Sequence, residues 1–309
     1  VDLNRKILVT GSAGLVGRAI VRELYRRGFE QIVTTSSTVY DLRDQYHTDR
    51  LFREHRPDYV FHCAAKVGGI VGHLHQAIDM FRDNILMELN VITNAHKWGV
   101  EKLLFLGSAC AYPKHAATPV KEESLLTGAL EPSNELYALA KISGIKLCDA
   151  FRTAFNSNFI STMPTNMYGP GDNYHPRFSH VIPGMIRKFH EAFVAGDESV
   201  VLWGTGKPIR DFLYSDDAAS AFVTLMERWN QPGPVNVCSG APVELWQLAD
   251  AIREVTFFKG EIIWDSAYPD GTPDRTMDAS KIKGLGWEPK VPLATGLEIA
   301  YADFLRRCL

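Results

Sequence analysis

No apolar run in the 309 residues approaches the ~20 that a helix needs to cross a bilayer, so a membrane-spanning chain is not expected. Charge of one sign is missing too. The 33 basic and 36 acidic residues leave a formal net charge of −3, which excludes the basic surface of a nucleic-acid or anionic-membrane binder. Cysteine is scarce. Cys63, Cys110, Cys148, Cys238 and Cys308 are odd in number and lack framework spacing. That argues against a disulfide scaffold and a zinc site, so no metal is expected, and it fits a reducing compartment with the cytosol as default. Repeats and low-complexity stretches do not occur. No targeting segment is seen either, because Val1-Asp2-Leu3-Asn4-Arg5-Lys6 runs straight into a strand pattern.

What is present alternates. Lys6–Thr10 is a short apolar run ending at glycine, and a helical pattern follows from Val16 to about Arg27. Gln31–Thr35 reads as a strand, Asp49–His55 as a helix, Asp58–Ala64 as a buried strand, Phe81–Trp98 as a long helix and Lys102–Gly107 as a strand. Near-continuous apolar strands alternating with helices predict a parallel sheet covered on both faces. After Tyr168 the rhythm changes. Gly169-Pro170-Gly171-Asp172-Asn173 is a breaker cluster, and further Pro/Gly punctuation falls at Gly204–Pro208, Gln231–Pro234 and Pro269–Pro273. The expectation is an α/β chain: a doubly wound domain over residues 1–168, and a smaller mixed α/β lobe over 169–309 that closes a substrate cleft. Segments near 205–225, such as Arg210–Leu213, are expected to return in part to the first domain.

Thr10-Gly11-Ser12-Ala13-Gly14-Leu15-Val16-Gly17 lies between the first strand and the first helix. Its G-x-x-G-x-x-G spacing is a variant of the Rossmann fingerprint, which brings backbone and a helix N-terminus against a pyrophosphate. A structural turn is the bland alternative, but the strand–turn–helix context favours the dinucleotide. An NAD enzyme usually carries an acid about 20 residues on, binding the ribose hydroxyls. Here Thr34-Thr35-Ser36-Ser37 stands instead, leaving room for a 2′-phosphate, so NADP is favoured. No arginine stands there.

Tyr137-Ala138-Leu139-Ala140-Lys141 sets a phenol and an ammonium on one face of a helix. A cation beside a tyrosine favours the phenolate and lowers its pKa. Ser108, just after the strand Lys102–Gly107, is placed to bind a carbonyl oxygen. Serine, tyrosine and lysine together suit hydride transfer to a ketone, whereas a lone Tyr–Lys pair on a helix is commonly just solvated.

With these groups the chain resembles the extended short-chain dehydrogenase/reductase superfamily. Asp41-Leu42-Arg43-Asp44 is similar to its adenine-contacting segment, and Ala64-Ala65-Lys66 to the strand end under the cofactor. Five stretches in order narrow the resemblance to the GDP-L-fucose synthase family. They are Ala64–Ile70, Gly107–Pro113, Pro164–Asn173, Ser179–Pro183 and Trp203–Phe212. That family inverts C3 and C5 of GDP-4-keto-6-deoxy-D-mannose and reduces the ketone with NADPH. The resemblance implies Ser108, Tyr137 and Lys141 for the reduction, with Cys110 as base and His180 as matching acid for the inversions. A thiol is low enough in pKa to be tuned by neighbours, and an imidazole titrates near neutrality. Without the motifs, a cysteine is usually a small hydrophobe and a lone histidine a satisfied core or surface residue.

The resemblance places the cofactor on Gly11, Ser12, Ala13, Gly14, Leu15, Val16, Gly17, Ser36, Ser37, Asp41, Leu42, Ala64, Ala65, Lys66, Leu106, Gly107 and Ser108. It adds Tyr137, Lys141, Pro164, Thr165, Asn166, Met167 and His180. For the GDP-sugar it points to Lys188, Trp203, Arg210 and Asp270. Arg187 offers an alternative to Lys188, and turn formation alone explains Asp270. Some relatives carry a basic residue in the glycine turn where this chain has Ser12-Ala13, which leaves the margin of NADP over NAD open. The helices near Phe81–Trp98 and Leu136–Arg152 correspond to those that pair relatives, implying a homodimer. Ala109-Cys110 replaces the Asp-Glu pair of sugar 4,6-dehydratases. The rival readings are another nucleotide-sugar epimerase or reductase of the same fold, and a non-catalytic dinucleotide sensor.

Overall fold

The computed structural model describes residues 3–69, 72, 75–268 and 270–308. Val1, Asp2, Ile70 and Pro269, which belong to segments read above, lie outside the described residues.

The first half alternates strand and helix: β1 (Ile7–Thr10), α1 (Leu15–Arg26), β2 (Ile32–Thr34), α2 (Gln45–His55), β3 (Tyr59–His62), α3 (Ala77–Lys97), β4 (Lys102–Leu106), α4 (Glu135–Phe155) and β5 (Asn158–Pro164). The local chemistry explains the elements. All four residues of β1 and all five of β4 are buried, as strands covered on both faces must be. Helix α1 buries Ala19, Ile20 and Leu24 on one face. The Asp44 carboxylate caps α2 by accepting from the His47 amide, so that helix starts well before its apolar residues begin.

The later chain forms β6 (Asn166–Tyr168), α5 (Val181–Ala195), β7 (Ser199–Trp203), β8 (Ile209–Arg210), β9 (Phe212–Tyr214), α6 (Ser215–Arg228) and β10 (Pro234–Val237). It continues through β11 (Val243–Glu244), α7 (Leu245–Val255), β12 (Glu261–Asp265), α8 (Ser280–Gly284) and α9 (Leu293–Cys308). Six parallel strands make the main sheet in the order β10-β5-β4-β3-β1-β2. This is a Rossmann-type arrangement. Strand order reverses between β1 and β3, and ligands bind in such sheets beyond the carboxyl ends at that reversal.

Arg210–Leu213 does not join the main sheet. β8 pairs antiparallel with β11, and β9 pairs parallel with β6. The segment that returns is β10, laid beside β5 with Pro234 opposite Ser161. Helix α6 returns with it and packs on α1, where Arg27 donates to Glu227 at 2.7 Å and to the Ser220 carbonyl at 3.1 Å. The Lys102 ammonium, buried at the start of β4, donates to the carbonyls of Met226 (2.7 Å) and Trp229 (2.6 Å) and so closes the end of α6. A second core gathers Ile182, Ile186 and Phe189 of α5 with Leu248, Ile252, Leu297 and Phe304. Among the described residues, no helix is long and apolar enough to cross a membrane.

Candidate active site

The turn after β1 is built for close approach. Gly11 takes φ +66°, and a Cβ there would lie 2.7 Å from the Ala64 backbone. A Cβ on Gly17 would lie 2.2 Å from the Gly11 carbonyl oxygen, so only glycine lets α1 sit against the turn. The Gly14 amide donates to that same carbonyl at 3.0 Å. Thr10 joins the two strands at the reversal: its Oγ1 lies 2.8 Å from His62 Nδ1 and accepts from the Ala64 amide at 3.2 Å. No described side chain caps α1, so the leading amides around Leu15 and Val16 remain open to an anion.

At the end of β2 the Ser12 hydroxyl donates to the Thr35 carbonyl at 3.3 Å, while Ser36 and Ser37 are exposed. On the other flank, Asp41 accepts from Arg43 at 2.7 Å, and that hydrogen bond holds its carboxyl below the usual range. Leu42 is buried beside it. Arg43 also reaches Asp83 at 3.4 Å, and Lys66 reaches the same carboxylate at 3.6 Å. The segments around Leu42 and Ala64-Ala65-Lys66 are thereby joined through one buried aspartate. Leu106 and Gly107 continue from β4, where the Gly107 amide donates to the Thr162 carbonyl at 2.8 Å.

Ser108 follows directly and heads a short turn over Ala109–Ala111, its hydroxyl accepting from the Cys110 amide at 3.2 Å. Tyr137 hydrogen-bonds Ser108, which brings the phenol to the carboxyl end of β4. Lys141 lies one turn further along α4. The spacing predicts that its ammonium lowers Tyr137, and the structure differs. Lys141 Nζ lies 6.0 Å from the Tyr137 ring centre and pairs instead with Glu88 of α3 at 3.1 Å. Burial, with the nearby Cys110 and Glu88, pushes Tyr137 up, and only the Ser108 hydrogen bond acts the other way. Burial likewise raises Glu88 to about 7, with Lys141 pulling it back.

Cys110 has company that no sequence motif suggested. Asn134, just before α4, donates its Nδ2 to the Cys110 sulfur at 3.3 Å, while its Oδ1 is buried with no partner among the described residues. Arg210 and Arg275 both lie close enough to interact electrostatically with Cys110, and burial holds both guanidiniums below the ordinary arginine range. Arg275 donates to the Tyr112 carbonyl at 3.1 Å and to Thr272 Oγ1 at 2.8 Å.

His180 precedes α5 as its N-cap residue. The chain there meets the loop beyond β3, since the Gly69 amide donates to the Phe178 carbonyl at 3.3 Å. The imidazole is solvent-accessible, yet the surrounding protein desolvates it enough to lower its pKa. Pro164 ends β5. Thr165 donates to the buried Asp211 carbonyl at 2.9 Å, Asn166 reaches that same oxygen at 3.3 Å, and Met167 is half-buried.

Further out, Trp203 ends β7 and stacks on Tyr268 with ring centres 4.3 Å apart and planes 9° from parallel. Lys188 Nζ stands 5.5 Å from the Trp203 ring. Arg187 is already engaged, donating to the Tyr174 carbonyl at 2.5 Å and pairing with Glu191 at 2.6 Å. Arg210 reaches the Asp270 carbonyl at 3.4 Å. The Asp270 carboxylate accepts from the Thr205 amide (2.7 Å) and hydroxyl (2.8 Å), so its side chain braces a turn. The structure therefore gathers Ser108, Cys110, Tyr137 and Arg210 at one place, with Lys188 and Trp203 paired at another.

Residues 7–238 match the family described as NAD dependent epimerase/dehydratase. The chain is 48% identical over 305 residues to GDP-L-fucose synthase 1 of Arabidopsis thaliana, spanning 99% of this chain and 94% of that relative. It is 42% identical to the GDP-L-fucose synthase of Escherichia coli (strain K12), with 97% of each covered. Among solved structures it resembles a GDP-L-fucose synthetase from Naegleria fowleri bound to NADP. The TM-score is 0.91 at 29% identity, over 100% of this chain and 96% of that one.

Proposed function

The chain belongs to the NAD dependent epimerase/dehydratase family and, within it, to the GDP-L-fucose synthases, and from that premise we propose how its residues carry the reaction. It takes a GDP-sugar and uses NADP as cofactor. The substrate is GDP-4-keto-6-deoxy-D-mannose, inverted at C3 and C5 and reduced at C4 to GDP-L-fucose. Residues 1–168, completed by α6 and β10, form the nucleotide-binding part, and most of the remaining chain holds the GDP-sugar.

The residues fit the cofactor. Side chains on Gly11 or Gly17 would fill the space the turn needs, and no acid stands among Thr34, Thr35, Ser36 and Ser37 to oppose a 2′-phosphate. NADPH, when bound, supplies the hydride. Ser108 holds the C4 carbonyl oxygen, and Tyr137 delivers a proton to that oxygen as it gains charge. Lys141, paired with Glu88, sets the local field around the phenol.

For the inversions, Cys110 removes the proton beside the ketone, where the enolate is stabilised, and His180 delivers one from the opposite face. Asn134 steadies the sulfur by its N–H donation, and Arg210 and Arg275 supply positive potential. Lys188 and Arg210 suit the pyrophosphate, and Trp203 offers its face to a ring. Asp270 acts through the Thr205 turn.

One observation carries this reading. The thiol of Cys110 and the Ser108 hydroxyl, itself hydrogen-bonded to Tyr137, belong to a single short turn at the end of β4, so one bound ring can meet both chemistries. The test is turnover of GDP-4-keto-6-deoxy-D-mannose with NADPH in deuterated water. GDP-L-fucose carrying deuterium at C3 and C5 supports the reading; a reduced sugar with unlabelled, uninverted carbons defeats the epimerase half. Exposed Leu89 of α3 and Leu136 and Leu139 of α4 further support a homodimer formed through these helices. Light scattering on the purified chain tests that.

A further inference from the structure

Beside the glycine turn lies a surface hollow of about 390 Å³ lined by Ser12, Ala13, Arg18, Val21, Arg22 and Thr34. No carboxylate lines it. Of its two arginines, Arg22 is neutralised by Asp216 at the start of α6. Arg18 has no ion-pair partner among the described residues, and its guanidinium rests near Gly171, a neutral contact.

An arginine on an exposed helix face is ordinarily just solvated. Three things set Arg18 apart. It stands in the first turn of α1, and helical side chains lean toward the N-terminus, so its reach covers Ala13 and Gly14. The glycine turn and the end of β2 both lack a basic residue of their own. Ser12 and Thr34 line the same hollow, and the Thr34 side chain carries a hydroxyl that can donate to a phosphate, whereas the Ser12 hydroxyl is given to the Thr35 carbonyl; a helix N-terminus already favours anions.

We propose that Arg18 is the specificity-determining residue for the 2′-phosphate of the dinucleotide, a phosphomonoester dianion held in this hollow. Arg18 forms the charge-assisted contact, and Thr34 adds a hydroxyl donor. The pyrophosphate belongs to the amides of Leu15 and Val16, a separate contact. This inference rests on the NADP reading.

The test is calorimetric titration of the whole chain with adenosine 2′,5′-bisphosphate and with 5′-AMP, probes that differ only in the 2′-phosphate. The wild-type chain binds the bisphosphate more tightly. In Arg18→Ala that advantage falls by about tenfold or more, the loss of one charge-assisted contact, with 5′-AMP binding unchanged. Arg18→Lys restores part of it, because an ammonium keeps the charge without the fork. Arg22→Ala, which removes a residue already paired, shifts the ratio less. If Arg18→Ala keeps the wild-type ratio, or weakens both probes equally, Arg18 does not read the 2′-phosphate although the NADP reading stands. Equal affinity for both probes in the wild-type chain overturns both readings together.

Discussion

Lys141 and Glu88 face each other 3.1 Å apart, with only 3% and 2% of their side chains exposed. Beyond that ammonium, no described donor reaches either Glu88 oxygen. Neither charge has water to fall back on. Glu88→Gln should therefore destabilise the chain by about 3–5 kcal/mol, as breaking a buried pair leaves an uncompensated charge. Urea denaturation measures it; a change below about 1 kcal/mol, the scale of an exposed pair, would contradict the buried-pair argument.

Tyr137→Phe keeps the ring and removes the proton that the C4 oxygen needs. Reduction should slow by about 10²–10⁴-fold, the usual worth of a positioned general acid. Solvent deuterium should still enter at C3 and C5, because Cys110 and His180 are untouched. Mass spectrometry of the recovered sugar separates the two effects. Parallel loss of exchange and reduction would show that the phenol serves both.

Asn134→Ala leaves Cys110 without its N–H donor. Exchange at C3 and C5 should fall by about tenfold, the worth of one hydrogen bond to the sulfur, with a smaller effect on reduction. Cys110→Ser should lose exchange first and more completely. An Asn134→Ala chain that exchanges at the wild-type rate would reduce the 3.3 Å contact to packing.

The two glycines of the first turn differ in what they tolerate. Gly17→Ala forces a methyl against the Gly11 carbonyl at 2.2 Å, a backbone atom that cannot swing away. Destabilisation of about 1–3 kcal/mol is expected, together with weakened dinucleotide binding. Thermal melts with and without NADPH read both, and an unshifted melt would mean the turn has more slack than its spacing implies.

Asp172 is buried within the loop that follows β6, and one of its oxygens has no partner among the described residues. Burial raises its carboxyl from 3.8 to about 7. A raised acid binds its proton more tightly in the folded chain, so its stabilising share is complete below the unfolded pKa. That share is lost as pH climbs through about 7. Asp172→Asn should therefore gain on the wild type as pH rises from about 4 to 7.5, with each tenfold in proton affinity worth about 1.4 kcal/mol. Melting temperatures across that range check it. A constant difference between the two chains would rule the group out.

The sheet was legible because its strands are apolar on both faces and its glycines stand at the first strand–helix junction. The start of α2 was not, since Gln45, Tyr46 and His47 offer no apolar period; the cap at Asp44 was the available signal. Ser108, Tyr137 and Lys141 stand out in the sequence only once the strand end and the glycine turn are set beside the Tyr–Lys spacing. Glu88 is not, because a single acid in a helix gives no hint that it is buried. Asn134 and Arg275 meet the Cys110 turn only through the fold, the latter gripping Tyr112 from 163 residues away. The same blindness hid the direction of the Tyr137 shift, which burial decides and sequence cannot measure.

The placement of β10 bears on how this chain can be made and cut. A ribosome releasing residues up to Tyr168 has exposed five strands of the sheet, but β5 still shows an open edge and α1 lacks its neighbour α6. Helix α6 begins 47 residues later, at Ser215, and β10 begins 66 residues later, at Pro234. A fragment ended at the lobe boundary should thus expose a pairing-competent strand and aggregate rather than bind nucleotide. One ended after Cys238 would at least carry a finished sheet.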